Sequence, residues 1–258
     1  MTRSPAYDNN IRVSGAVSTD ERIVYRPRRR NNPGSVSGWI PFPAKENVLS
    51  IWQFNNSLED DAGSNDLTAN DGTPVYVASA GGLGKGLQFD GSLYLSKTAP
   101  TNLSPTDRFT IGLVGKFPVT TTAQNVVHRL GSTEGWAFFF KELSPTILSM
   151  SLNGGYASAN STGTIDDGNL KFLAVTYDKD LGGSEELKLY IDGVQDGSDD
   201  YSTAIDYIPA PDLGIGAGAT GNSPVVNGTI MYQVVVWDVA LSVLNIESWR
   251  NKGFGVSY

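Results

Sequence analysis

The chain has 258 residues, 40% of them hydrophobic, no cysteine and a formal net charge of −8. That is enough apolar material for a sizeable core, and it excludes a disulfide framework and thiolate metal sites. No run of eighteen apolar residues offers a membrane-spanning helix, and the opening MTRSPAYDNNIRVSG lacks the apolar stretch of a secretory signal, so assembly in a reducing cytoplasm is expected.

The charge is divided unevenly. Residues 1–46 carry eight basic and four acidic groups, net +4, and the remainder carries eleven basic and twenty-three acidic groups, net −12. The first segment has no sustained periodicity, is interrupted by Pro5, Pro27, Pro33, Pro41 and Pro43, and offers only Ile23-Val24-Tyr25 as a short strand. It is read as an extended arm. Its arginines Arg26, Arg28, Arg29 and Arg30, with Trp39, Ile40 and Phe42, are candidate anchors, because a solvated tail has little use for three large apolar groups. Four arginines can neutralise phosphates, but a body at −12 opposes nucleic acid and no aromatic platform surrounds them. An acidic groove on a neighbouring protein subunit is at least as good a partner.

From Val48 the pattern is that of strands. VLSIWQFN alternates, and Asp60 to Thr73 is a polar, turn-rich loop. LQFDGSLYLSK reads as a hairpin turning near Asp90-Gly91. RFTIGLVGKF is a long strand whose glycines mark close packing or a bulge. NVVHRLG, GWAFFFK, TILSMSLNGG, LKFLAVTYD, LKLYIDGVQDGS, DLGIGAG and GTIMYQVVVWD complete roughly a dozen strands. In LKLYIDG, Leu187, Leu189 and Ile191 are assigned to the core face and Lys188 and Tyr190 to the other, with Asp192-Gly193 supplying a two-residue turn. One helix is expected, capped by Ser242, with Val243, Ile246 and Trp249-Arg250 as its stripe and Gly253 as its stop. Many short strands without intervening helices predict an all-β antiparallel sandwich.

The motifs LSIWQFNNSLEDDAG, GGLGKGLQFDGS, FTIGLVGKF, LKFLAVTYDKD followed by LKLYIDGVQDG, and GTIMYQVVVWDVALS occur in the order of the laminin-G-like, concanavalin A-like jelly roll, which residues 47–258 resemble. The resemblance implies a jelly-roll domain over 47–258 behind an arm at 1–46, with one short C-terminal helix. Small proteins of this build resemble tailed-bacteriophage virion proteins. The implied role is a non-enzymatic structural protein of the virion, a capsid decoration or cement subunit. It would be anchored to other virion subunits through its arm, with the jelly roll exposed and the chains forming a homo-oligomer. The alternative is a tail-fibre or receptor-binding lectin that recognises cell-surface glycans.

Catalysis is poorly supplied, and no enzyme is expected. The glucanase pattern Glu-x-Asp-x-x-Glu, which would place paired carboxylates on one strand face, is absent. Glu59-Asp60-Asp61 and Glu185-Glu186 read as solvated charges. His128 is the only histidine, and GGLGKG lacks the Lys-Ser/Thr ending of a phosphate loop. No cofactor is required. Calcium is the one the resemblance leaves open, with Asp60, Asp61, Asp66 and Asp71 as oxygen ligands, although Met231-Tyr232-Gln233 stands where many relatives are acidic. For a carbohydrate, the loop candidates are Tyr156, Tyr201, Tyr207, Asn153, Asn160 and Asn222, with YSTAIDYIPAPD as the favoured rim.

Overall fold

The computed structural model describes residues 44–79, 84–141, 146–155, 157–183 and 185–252, and the backbone of 24–25 and 40–41. Arg26, Arg28, Arg29, Arg30, Trp39, Phe42, Tyr156 and Gly253 lie outside the described residues. Strands β1 (Val24–Tyr25) and β2 (Ile40–Pro41) pair antiparallel.

Two antiparallel sheets form a sandwich. The first holds seven strands in the order β12 (Ala157–Asn160), β11 (Ile147–Leu152), β10 (Gly135–Lys141), β9 (Gln124–Leu130), β16 (Leu213–Ile215), β7 (Tyr94–Lys97) and β4 (Thr68–Asn70). The second runs β15 (Val194–Asp199), β14 (Leu187–Ile191), β13 (Leu170–Asp178), β8 (Arg108–Lys116), β17 (Ile230–Trp237), β6 (Lys85–Gln88) and β5 (Val75–Ala78), with β3 (Val48–Gln53) also on β17. Alternate residues of the two sheets meet between them. Phe109, Ile111, Leu113, Leu173, Val175, Val234 and Val236 come from one sheet, and Val127, Trp136, Phe138, Phe140, Leu148 and Met150 from the other.

Three local expectations are corrected. LQFDGSLYLSK is not a hairpin: β6 pairs with β5 and β17, whereas β7 pairs with β4 and β16. Asp90 turns the chain by accepting Ser92 N at 2.9 Å and Leu93 N at 2.7 Å, and the turn carries it from one sheet to the other. The loop from Asp60 to Thr73 contains β4. Tyr190 does not face solvent, because the eight-stranded sheet has a second core on its outside.

That second core is built by the helix α1 (Val243–Lys252), whose Ser242 Oγ accepts Asn245 N at 3.3 Å. Ile246 and Trp249 are buried against Phe172, Ala174, Tyr190, Tyr232, Val235 and Trp237, while Val243 stays exposed. The helix lies this close because β8 carries Gly112: a Cβ there would stand 2.8 Å from the Trp249 ring and 3.1 Å from that of Trp237. The closing strand β17 carries a bulge between Met231 and Gln233, opposite Gly115. Asp192 and Gly193 have φ of 52° and 85°, as the hairpin turn requires.

Candidate functional site

The helix covers the outer face of one sheet, so the open sheet face is the outer side of the seven-stranded one. Its register assembles two rows of side chains that no single sequence motif contains. One row crosses the strands through Ser158, Ser151, Ala137, His128, Gly214, Ser96 and Thr68. The neighbouring row holds Asn160, Ser149, Phe139 and Asn125, and on the far side Tyr94 with Asn70. The row to His128 spans about 15 Å at the usual strand spacing.

Strand alternation explains the polarity of this face. On β10, Trp136, Phe138 and Phe140 enter the core, which leaves Ala137 and a partly exposed Phe139 outside. On β9 a bulge between Asn125 and Val127 turns both Val126 and Val127 inward and returns Asn125 to the outer face. Ser149 Oγ donates to Asn160 Oδ1 at 2.8 Å, which orients the amide.

A loop folds over β16 and divides the face. A Cβ on Gly214 would meet Ala217 O at 2.5 Å, so glycine is required for the loop to lie there. Asn222, one of the expected glycan residues, stands exposed in this loop; its backbone O accepts Gly218 N at 2.9 Å and Asn125 Nδ2 at 3.3 Å. Gly221 packs on the Tyr94 ring. Asn222, Asn160, Asn125, Phe139 and His128 therefore share one face.

His128 lies mid-face between Ala137 and Gly214. Its Nδ1 is shielded from solvent and makes no hydrogen bond among the described residues. Burial pushes its pKa down to about 4, so the ring is neutral at neutral pH. The unfolded chain takes up this proton near pH 6.5 while the folded chain refuses it until about 4. Stability contributed by His128 is thus full above pH 6.5 and lost as pH falls through this window. The expected loss is about 2 kcal/mol after allowance for the exposed side of the ring. Urea titrations of wild type and His128→Asn at pH 7 and pH 4.5 check it: the variant should lose less stability on acidification, and an equal loss would refute the assignment.

The other candidates are corrected to structural roles. Tyr207 is buried, donates its hydroxyl to Pro105 O at 3.0 Å and carries the Arg129 guanidinium 4.8 Å from its ring centre. Tyr201 packs its ring beside Tyr177, and its hydroxyl accepts Asn153 Nδ2 at 2.7 Å. Asn153, itself buried, also donates to Ala204 O at 3.0 Å and accepts Asp206 N at 2.9 Å. The aromatic loop YSTAIDYIPAPD is thus pinned over the end of the core.

The calcium reading is corrected as well. Asp60 is buried, and its Oδ1 accepts Ile51 N, Ala62 N and Gly63 N at 3.0, 3.1 and 2.9 Å. Its Oδ2 accepts Ser50 Oγ at 2.7 Å and Asn65 N at 3.1 Å. Five protein donors saturate the carboxylate. Asp66 Oδ1 accepts Asp60 N at 2.9 Å. Asp61 lies at the exposed side of the loop, and desolvation, then the charges of Asp60 and Glu59, push its carboxyl up to about 6, which still leaves it mostly ionised at neutral pH. Asp71 is exposed, in a turn at φ 54°. Among the described residues no three of His, Cys, Asp or Glu come together to hold a metal ion. Glu186, expected to be solvated, is buried and accepts Tyr201 N at 3.2 Å; its pairing with the carboxyl of Asp200 holds Glu186 below and Asp200 above the usual carboxylate range.

Comparison with known proteins places this arrangement in context. The family described as the concanavalin A-like lectin/glucanases superfamily matches residues 89–247. Domain 4 of AbnA, a GH43 extracellular arabinanase from Geobacillus stearothermophilus solved with arabinotriose, superposes with a TM-score of 0.58 at 18% identity, over 78% of this chain and 96% of that one. The binding domain of Paraclostridial Mosquitocidal Protein 1 gives a TM-score of 0.63 at 15% identity, over 82% and 53%. Botulinum neurotoxin type C, whose cell entry is described as dependent on two ganglioside molecules, gives 0.60 at 13%, over 80% and 51%. The chain thus spans nearly all of the arabinanase domain and about half of each toxin chain. These likenesses establish the fold. No curated protein matches the chain.

Proposed function

The chain belongs to the concanavalin A-like lectin/glucanases superfamily, and from that membership and the geometry of the open sheet we propose that it is a non-catalytic carbohydrate-binding module. The observation that carries this reading is the outer face of the seven-stranded sheet. It sets amides (Asn125, Asn160, Asn222), the exposed Ser158 hydroxyl and an aromatic ring (Phe139) around a neutral imidazole, while Ser149 and Ser151 are buried in the same rows. Amides and hydroxyls match sugar hydroxyls as donors and acceptors, and the Phe139 ring offers an apolar surface to a sugar face. Glycoside hydrolysis needs two carboxyls flanking the scissile bond, and neither row contains one. The arabinotriose complex described for one of the similar structures, and the ganglioside-dependent cell entry described for another, support the glycan reading.

The test is a glycan array followed by calorimetry on the best hit. Phe139→Ala is expected to weaken binding about tenfold, the equivalent of about 1.4 kcal/mol, with the fold retained by circular dichroism. A hit whose affinity ignores this substitution would place the site elsewhere.

A second reading concerns context. The contrast of +4 over residues 1–46 and −12 over the rest favours a module tethered through its arm to a larger assembly. In this reading the chain is a phage virion subunit, either capsid decoration or cement or a tail-fibre adhesin, that displays the sandwich outward as a homo-oligomer. Deleting residues 1–46 should then leave melting and glycan binding intact and abolish incorporation into particles; unchanged incorporation would refute it.

A further inference from the structure

We infer that the glycan taken by this face is uncharged, an inference that rests on the carbohydrate-binding reading and narrows it to a ligand class. Carboxylated, sulfated or sialylated sugars are gripped by arginine forks, lysines or helix N-termini. Neither row of the face contains any of these. The sheet's one arginine next to His128, Arg129, points the other way. It is 1% exposed, its guanidinium donates to Leu103 O, to Ser104 Oγ at 2.8 Å and to Pro211 O at 3.2 Å, and it rests on the Tyr207 ring.

Among the described residues, the cation that strand alternation puts on this face beside Phe139 is Lys141, exposed at the end of β10. A single exposed ammonium adds little. At longer range the −12 charge of residues 47–258 repels anions. What the face holds instead is unspent neutral hydrogen-bonding capacity. Asn125 Oδ1, Asn222 Nδ2 and the Tyr94 hydroxyl make no hydrogen bond among the described residues. A sugar hydroxyl both donates and accepts, and can satisfy such groups without a charge.

The full chain is therefore screened against neutral oligosaccharides and their uronate, sulfated and sialylated counterparts, and the best hit is titrated at low salt and at about 0.5 M NaCl, where surface charge is screened. The expected hits are neutral. Affinity should stay within about twofold across salt and in Lys141→Ala, and should fall about tenfold in Asn125→Ala as one neutral hydrogen-bonding group is lost. Tighter binding of acidic glycans that falls with salt and in Lys141→Ala, yet still depends on Asn125, would overturn the ligand class and leave the site. A hit indifferent to Phe139→Ala, Asn125→Ala and the solvent-exposed Asn222→Ala would overturn the site, and binding to no glycan would overturn both. If Phe139→Ala does not fold, the two asparagine variants carry the test.

Discussion

Replacing Asp60 by alanine will cost about 4 kcal/mol of folding stability and lower the melting temperature by about 10 °C. The size follows from what the carboxylate holds. Four backbone N–H groups and the Ser50 hydroxyl converge on it. Ser50 and Asn65 are buried, so donors left without an acceptor lose most of their hydration as well. The loop it closes also fixes Asn65, whose Nδ2 donates to Ser50 Oγ at 2.9 Å and whose Oδ1 accepts Thr101 N at 2.8 Å. Asp60→Asn keeps one acceptor oxygen but turns an N–H₂ toward other donors, and should cost about half as much. Asp61→Ala, at an exposed neighbour, should stay within about 0.5 kcal/mol of wild type. Urea denaturation of the three variants gives the comparison. Millimolar calcium should leave the wild-type melting temperature unchanged. A calcium-induced rise that disappears in Asp60→Ala would restore the metal reading, and a loss below about 1 kcal/mol would refute the staple.

Asp60 also shows where sequence reading ends. A run of carboxylates looks the same whether it is solvated, binds a cation or is tied by backbone donors; only the path of the loop past Ser50 and Ile51 decides. Period-two patterning and turn chemistry were legible because their causes are local. Leu187 and Leu189 enter the core, and Asp192-Gly193 turns the hairpin. Asp90-Gly91 was a turn of the same chemistry, yet it joins two sheets, because a turn signal says that the chain reverses and not which strand it then meets. Tyr207 looked like a rim aromatic until its hydroxyl found Pro105 O. The open face was legible residue by residue and not as a site. Asn125, Phe139, Ser149 and Asn160 become neighbours only through the register of four strands, one of which carries a bulge.

Trp249→Ala is expected to be comparably damaging, about 4 kcal/mol, because it removes one of the two tryptophans from the outer core of the eight-stranded sheet. The indole meets Trp237 edge-on at 5.9 Å and Phe172 at 6.0 Å, over the space that Gly112 leaves open. Its Nε1 donates to Gln233 Oε1 at 3.1 Å, and Gln233 is 1% exposed with an Nε2 that finds no partner among the described residues. Trp249→Phe keeps most of the ring contact but orphans that acceptor, at about 2 kcal/mol. Adding Gln233→Leu should recover part of the loss, since it removes the buried amide that has no partner. Denaturant titration of the two single variants and the double variant measures this coupling, and strict additivity would show that the Trp249–Gln233 bond carries no weight. The same variants separate the two sheet faces by function. The helix occupies one outer face, and the proposed glycan face lies on the other side of the sandwich. Trp249→Phe should therefore leave glycan affinity unchanged once the folded fraction is accounted for, whereas Phe139→Ala should not. A loss of binding in Trp249→Phe at full folding would move the site to the helix side.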